Sequence, residues 1–212
     1  MLRLHLLRHG QTAASRENVF CGSGSDVALT ADGVAMADAF ALAYRDTVWR
    51  AVYSSPLQRA IATAQATAQQ CGVGVTVDPA LAEIDYGAWD GLQADAVDRD
   101  DHDAFVRWTA DPAWHAPTGG ETAVALARRM LGVVERIRRE SPDGDVLVVS
   151  HKASIRTLLC ALLGIDVGRF RSRFGCPVAS VSVVEFTDRG PLAQTIADRS
   201  HLDARLRGLP GT

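Results

Sequence analysis

Arg8-His9, Ser54-Ser55 with Arg59, and Ser150-His151-Lys152 each follow a short apolar run that reads as a β-strand. In open α/β sheets a ligand sits outside the carboxyl ends of the strands. If these three strands are neighbours, two histidines, two arginines and one lysine converge on one pocket. On a chain of net charge −3, that is a local cationic site suited to an anion such as a phosphoryl group. Glycine-rich nucleotide signatures are absent: no Walker A run occurs, and no Gly-x-Gly-x-x-Gly follows a strand. The anion is therefore not expected as a polyphosphate in a P-loop.

The elements that must position these residues alternate along the chain. Leu2 to Leu7 is a strand, and the polar stretch 11–29 reads as a long functional loop. Thr30 can cap a helix running to about Arg45, with an apolar face at Val34, Ala37, Phe40, Ala41 and Tyr44. Trp49 to Tyr53 is a strand, and Pro56 stands at the first turn of an Ala-rich helix ending near Cys71-Gly72. Val73 to Val77 is a short strand. A long amphipathic helix covers Glu121 to Glu140, and Asp145 to Val149 is a buried-type strand leading into a helix through Leu163. Val178 to Phe186 and Leu192 to Ile196 are two further strands. Residues 80–118, rich in Asp, Trp and Gly, break the alternation and read as an insertion or lid. Tyr86, Trp89 and Trp114 are expected in its core. The pattern predicts one α/β domain over residues 1–212, a three-layer sandwich with a mostly parallel sheet and helices on both faces.

Composition narrows the function classes. The chain is 47% hydrophobic and 22% charged, enough for one domain with a real core and unlike a disordered or fibrous chain. Its longest apolar runs are too short to span a bilayer. The first strand carries Arg3 and His5 and is followed by no small-residue cleavage site, which argues against a signal peptide. Net charge gives no reason to expect nucleic acid or an anionic membrane as partner. Cys21, Cys71, Cys160 and Cys176 are scattered, without metal-ligand spacing, so neither a metal nor a disulfide framework is expected and a cytoplasmic location is. Cys160 shares a helix face with Ile155, Leu159 and Leu163 and reads as core. Lys152 is the only lysine among 22 basic residues. The helices are compatible with a homodimer but show no diagnostic stripe.

Four ordered segments carry a resemblance. Leu7-Arg8-His9-Gly10-Gln11-Thr12 resembles the signature of the histidine phosphatase superfamily, phosphoglycerate-mutase-like branch. Ser54-Ser55-Pro56-Leu57-Gln58-Arg59-Ala60 is similar to its second motif, Glu83-Ile84-Asp85-Tyr86-Gly87 to its acid motif, and Val149-Ser150-His151 to its second histidine motif. Gly119-Gly120-Glu121-Thr122 and Ser200-His201-Leu202 match frequent family features, so the likeness runs from residue 2 to about 202.

The resemblance implies a phosphoglycerate-mutase-like fold and a metal-independent, cofactor-free phosphatase for a small phosphorylated metabolite. His9 is then the nucleophile that becomes a phosphohistidine, with Arg8, Arg59 and His151 around the phosphoryl group. Glu83 is the acid and later the base, which requires a protonated carboxyl in the first step. Gln11, Thr12, Ser15, Cys21, Gly22, Tyr86, Lys152 and His201 are the implied substrate contacts. Two positions depart from the pattern. Ala14-Ser15 stands where the family commonly has Trp-Asn, with Asn18 nearby to compensate, and Lys152 stands where a glycine commonly follows the second histidine. Lys152 has two readings, a grip on a second anionic group or an exposed helix-start residue. The stretch from Cys160 to Asp166 and the residues around Phe174 to Ser180 resemble metal-independent phosphoserine phosphatases. Tyr86, however, replaces the histidine that helps those relatives bind substrate. Sugar phosphates and phosphorylated acids stay equally open. So do a cofactor-dependent phosphoglycerate mutase, for which the insertion is small, and a catalytically silent phospholigand-binding module.

Overall fold

In the first strand alternate side chains face opposite ways: Leu2, Leu4 and Leu6 join one buried cluster, while Leu7 joins another. Val146 and Val148 against Leu147 and Val149 repeat the division. A strand apolar on both sides must be covered on both sides, which is the reason for a central sheet between two helical layers. The computed structural model describes residues 1–211. Its six strands are β1 (Leu2–Arg8), β2 (Trp49–Ser54), β3 (Val75–Val77), β4 (Gly144–Ser150), β5 (Val181–Thr187) and β6 (Gly190–Asp198). They form one mixed sheet in the order β3-β2-β4-β1-β5-β6. β3, β2, β4 and β1 run parallel, and β5 and β6 complete the other edge antiparallel.

The helices are α1 (Ala13–Glu17), α2 (Ala31–Ala43), α3 (Gln58–Cys71), α4 (Ala94–Asp100), α5 (His102–Ala110), α6 (Ala123–Glu140), α7 (Lys152–Leu162), α8 (Phe170–Arg173) and α9 (Ala204–Arg207). α6 and α7 cover one face of the sheet through Leu126, Met130, Ile155 and Leu159. α2 and α3 cover the other through Phe40, Ala60 and Ala64. Thr30 and Thr122 accept a hydrogen bond from the Gly33 and Ala125 amides and so cap α2 and α6. Gly72, with φ +68°, closes α3 in the left-handed conformation that glycine adopts without strain.

Several boundaries and faces differ from the sequence reading. The loop 11–29 contains α1, a single turn closed by a reciprocal Thr12–Ser15 capping box. Val34 is 47% exposed, and Met36 takes the buried place on α2, packing with Val178, Leu202 and Leu206 under α9. Trp114 is 72% exposed. The aromatic core of the 80–118 segment is built by Trp89 and Trp108, with Phe105, Phe20 and Tyr86 packed against them.

Candidate active site

The register of the sheet brings the three reactive segments together. β4 lies between β1 and β2, with Arg8 opposite Ser150 and Ser54 opposite Val149. The His9 amide donates to the Ser150 carbonyl (3.1 Å) and the Ser55 amide to the Val149 carbonyl (3.0 Å), so three chain reversals start at one level. The turn after His9 packs directly on the start of α2. A Cβ on Gly10 would lie 2.2 Å from the Gly33 carbonyl oxygen, and one on Gly33 would lie 2.1 Å from that of Gln11. Only glycine fits at either place.

A cavity of about 180 Å³ opens here, lined by Arg8, His9, Arg59, Glu83, Lys152, Arg156 and Arg171 together with Thr12, Ser15, Asn18, Cys21, Tyr86 and Trp108. His9 Nδ1 donates to the Gly10 carbonyl oxygen (2.7 Å). A carbonyl can only accept, so the neutral ring carries its proton on Nδ1 and its lone pair on Nε2. Burial, then the Arg59 and Arg8 guanidinium groups, push His9 well below the ordinary imidazole value. The ring is therefore a neutral nucleophile at neutral pH.

Arg59 is 1% exposed. Its Nη1 donates to the Ser25 carbonyl (2.6 Å), and its Nη2 to those of Gly22 (3.1 Å) and Cys21 (3.4 Å). Its Nε donates to His151 Nδ1 (3.2 Å). Since arginine only donates, His151 holds its proton on Nε2, which donates to Ser55 Oγ (2.7 Å). His151 is fully buried, and its ring centroid is 5.1 Å from that of His9. Burial and Arg59 also hold His151 well below the ordinary imidazole value.

Glu83 is seated on the first turn of α7. Its Oε1 accepts from the Ile84 amide (2.8 Å), the Ser154 amide (3.0 Å) and Ser154 Oγ (2.9 Å), and its Oε2 from the Ala153 amide (3.0 Å). A carboxylate at the amino end of a helix meets otherwise unpaired N–H groups and a favourable dipole. Arg129 clamps the same segment by donating to the Ala80, Ala82 and Glu83 carbonyls, and is itself held by Glu121 at 2.9 Å.

The sequence matches the profile of the Histidine phosphatase superfamily (branch 1) over residues 4–199. The chain belongs to that superfamily. It is 32% identical over 189 residues to phosphoserine phosphatase 1 of Hydrogenobacter thermophilus, covering 89% of each protein. It is 40% identical over 188 residues to the bifunctional protein Rv2228c of Mycobacterium tuberculosis, covering 87% of this chain and half of that one. The mycobacterial glucosyl-3-phosphoglycerate phosphatase Rv2419c superposes with a TM-score of 0.85 at 29% identity, over 93% of this chain and 99% of that one. The chain is thus a phosphoric monoester hydrolase of the phosphohistidine type.

Within this phosphatase the structure gathers Arg8, His9, Thr12, Ser15, Cys21, Arg59, Glu83, Tyr86 and Lys152 around the cavity. Three expected substrate contacts lie elsewhere. Gln11 donates to the Pro210 carbonyl (2.6 Å) and accepts from Thr30 Oγ1 (2.9 Å), so it ties down the C-terminal segment. Gly22 spends its amide on Asp90 (2.8 Å) and its carbonyl on Arg59. His201 packs edge-on against Phe40, 5.3 Å between ring centroids, in the layer of α2. Family motifs locate a segment without saying which way each side chain turns, and these three turn into the scaffold. Ser15 lines the cavity, but its hydroxyl is engaged with Thr12, donating to the carbonyl and accepting from the amide, both at 2.9 Å. Burial raises the Cys21 thiol above its usual value, so it is no thiolate nucleophile at neutral pH. Sequence reasoning missed Arg156 and Arg171. Arg156 follows Lys152 by four residues on a helix, a legible same-face signal. Arg171, on the four-residue α8, left none.

Proposed function

We propose that this phosphatase hydrolyses a small phosphomonoester without a metal, by in-line transfer to His9 Nε2. The observation that carries the reading is the His9 hydrogen bond to Gly10, which presents a neutral lone pair among cationic side chains. The Nε2 lone pair attacks phosphorus as the ester P–O bond breaks, and Glu83 gives its proton to the departing oxygen. A water molecule then attacks the phosphohistidine, Glu83 takes a proton from it, the N–P bond breaks, and phosphate leaves. Glu83 Oε2, with one donor against three on Oε1, is the oxygen with room for that proton. Arg8 and Arg59 stabilise charge on the equatorial oxygens, the task a metal performs in other phosphoryl transferases. Four free cysteines suit a reducing compartment such as the cytoplasm.

The test is phosphate release from a panel of phosphomonoesters in excess EDTA, with His9→Ala alongside. Turnover that survives EDTA and is lost in the variant is expected. Turnover that needs a divalent ion, or persists in His9→Ala, overturns the reading.

A further inference from the structure

The reacting group needs few of the positive charges gathered here. Beyond Arg8 and Arg59, three more cations stand on the outer wall: Lys152 and Arg156, one turn apart on α7, and Arg171 on α8. A second, open cavity of about 720 Å³ lies alongside the first, and Asn18, Lys152, Arg156 and Arg171 line both. No acidic side chain lines the second cavity, and Glu83 is the single one in the first. Among the described residues none of these three cations has a carboxylate within salt-bridge reach, whereas neighbouring Arg169 is paired with Asp166.

Uncompensated like charges that converge on a cleft are costly unless a ligand neutralises them. Two of them rest on aromatic rings. Arg171 stacks over the buried Trp108 ring at 4.2 Å, and Arg156 lies over Phe170 at 5.7 Å while donating to the Arg171 carbonyl. Arg156 Nε is buried with no hydrogen-bond partner. Burial, then the Arg8 and Arg156 guanidinium groups, depress Lys152 to about 8.

We infer that Lys152, Arg156 and Arg171 form a second anion site, and that the substrate is a phosphomonoester carrying another anionic group, a carboxylate or a second phosphate, on the side facing α7 and α8. This rests on the hydrolase reading for the reacting end only. The phosphoryl group would meet His9 while the second group spans to the shared wall of the two cavities. The wall is half-exposed, so ligands of different length can reach it.

Two matched pairs of esters test the inference: 3-phosphoglycerate against glycerol 3-phosphate, and fructose 1,6-bisphosphate against fructose 6-phosphate. For at least one pair, kcat/KM should favour the doubly anionic member by at least about tenfold, chiefly through KM, with a steep salt dependence. Which pair responds tells a carboxylate from a phosphate. That preference should fall several-fold in Arg156→Gln and again in Lys152→Met, two variants that need not share a folding defect. Calorimetric binding of the same esters to His9→Ala reads the site without turnover. A binding preference without turnover in the unsubstituted protein keeps the anion site and discards the hydrolase reading. Turnover with no preference in either pair, a preference unchanged in both variants, or no binding of any ester overturns the anion site.

Discussion

At the reacting end of the cleft, charged groups are held by dense hydrogen bonding, and at the rim they are nearly bare. Arg59 makes four hydrogen bonds and the Glu83 carboxylate accepts four. Lys152 and Arg171 have no comparable cage: one stands at a helix start and the other rests on an indole face. The contrast separates two tasks. In-line transfer tolerates little misplacement, so its groups are locked by the backbone of neighbouring segments. Recognition of a second anion tolerates variation in length, so its groups sit on side chains that can adapt.

Breaking the locked end gives the largest effect. Arg59→Ala removes a guanidinium from the reacting group and orphans the carbonyls of Cys21, Gly22 and Ser25. Steady-state kinetics should show kcat down by roughly 10³-fold, and denaturant unfolding a loss of about 3 kcal/mol. Glu83→Gln keeps much of the seat on α7 but cannot shuttle a proton. Alkyl phosphates should lose about 10²–10³-fold in kcat, and p-nitrophenyl phosphate, whose leaving group needs no proton, far less.

A smaller effect follows from the depressed histidines. Because His9 and His151 lie well below 6.5 in the folded chain, they stay neutral as pH falls through 6.5. Turnover limited by the nucleophile should therefore hold its rate below that pH, in a kcat profile on p-nitrophenyl phosphate. Stability runs the other way. The unfolded chain takes up these protons from about pH 6.5 downward and the folded chain does not, so stability is eroded in that window. Thermal melting should fall between pH 7 and 5, with a shallower slope in His151→Asn. The smallest effect belongs to Gln11→Ala, which removes two tethers outside the cavity. It should cost about 1–2 kcal/mol and leave kcat/KM within about twofold.

Much of the locked end was legible in the sequence, because strand, reactive residue and turn are local signals. Leu2 to Leu7, Trp49 to Tyr53 and Asp145 to Val149 each announce a strand with chemistry at its carboxyl end, whereas their adjacency is set by the sheet pairing. Glu83 was found by its motif, yet its seat on the Ala153 and Ser154 amides and the Arg129 clamp are long-range contacts that no local pattern carries. The same blindness put Gln11, Gly22 and His201 in the site and left Arg171 out. Position in a motif fixes a residue's neighbourhood, whereas side-chain direction is decided by partners as distant as Pro210 and Asp90. Trp114 failed for a related reason: composition marked the segment as aromatic without telling which tryptophan the tertiary packing would bury.

The chemistry turns on covalent transfer to His9 Nε2. Rapid acid-free quenching of a turning-over sample, followed by mass spectrometry and phosphorus NMR, tests it most directly. An acid-labile, base-stable phosphate on the His9 peptide, bonded through Nε2 and absent from His9→Ala, is expected. Phosphate found on His151, on Cys21 or on a hydroxyl, or turnover with no phosphoenzyme under conditions that stabilise phosphohistidine, would contradict it.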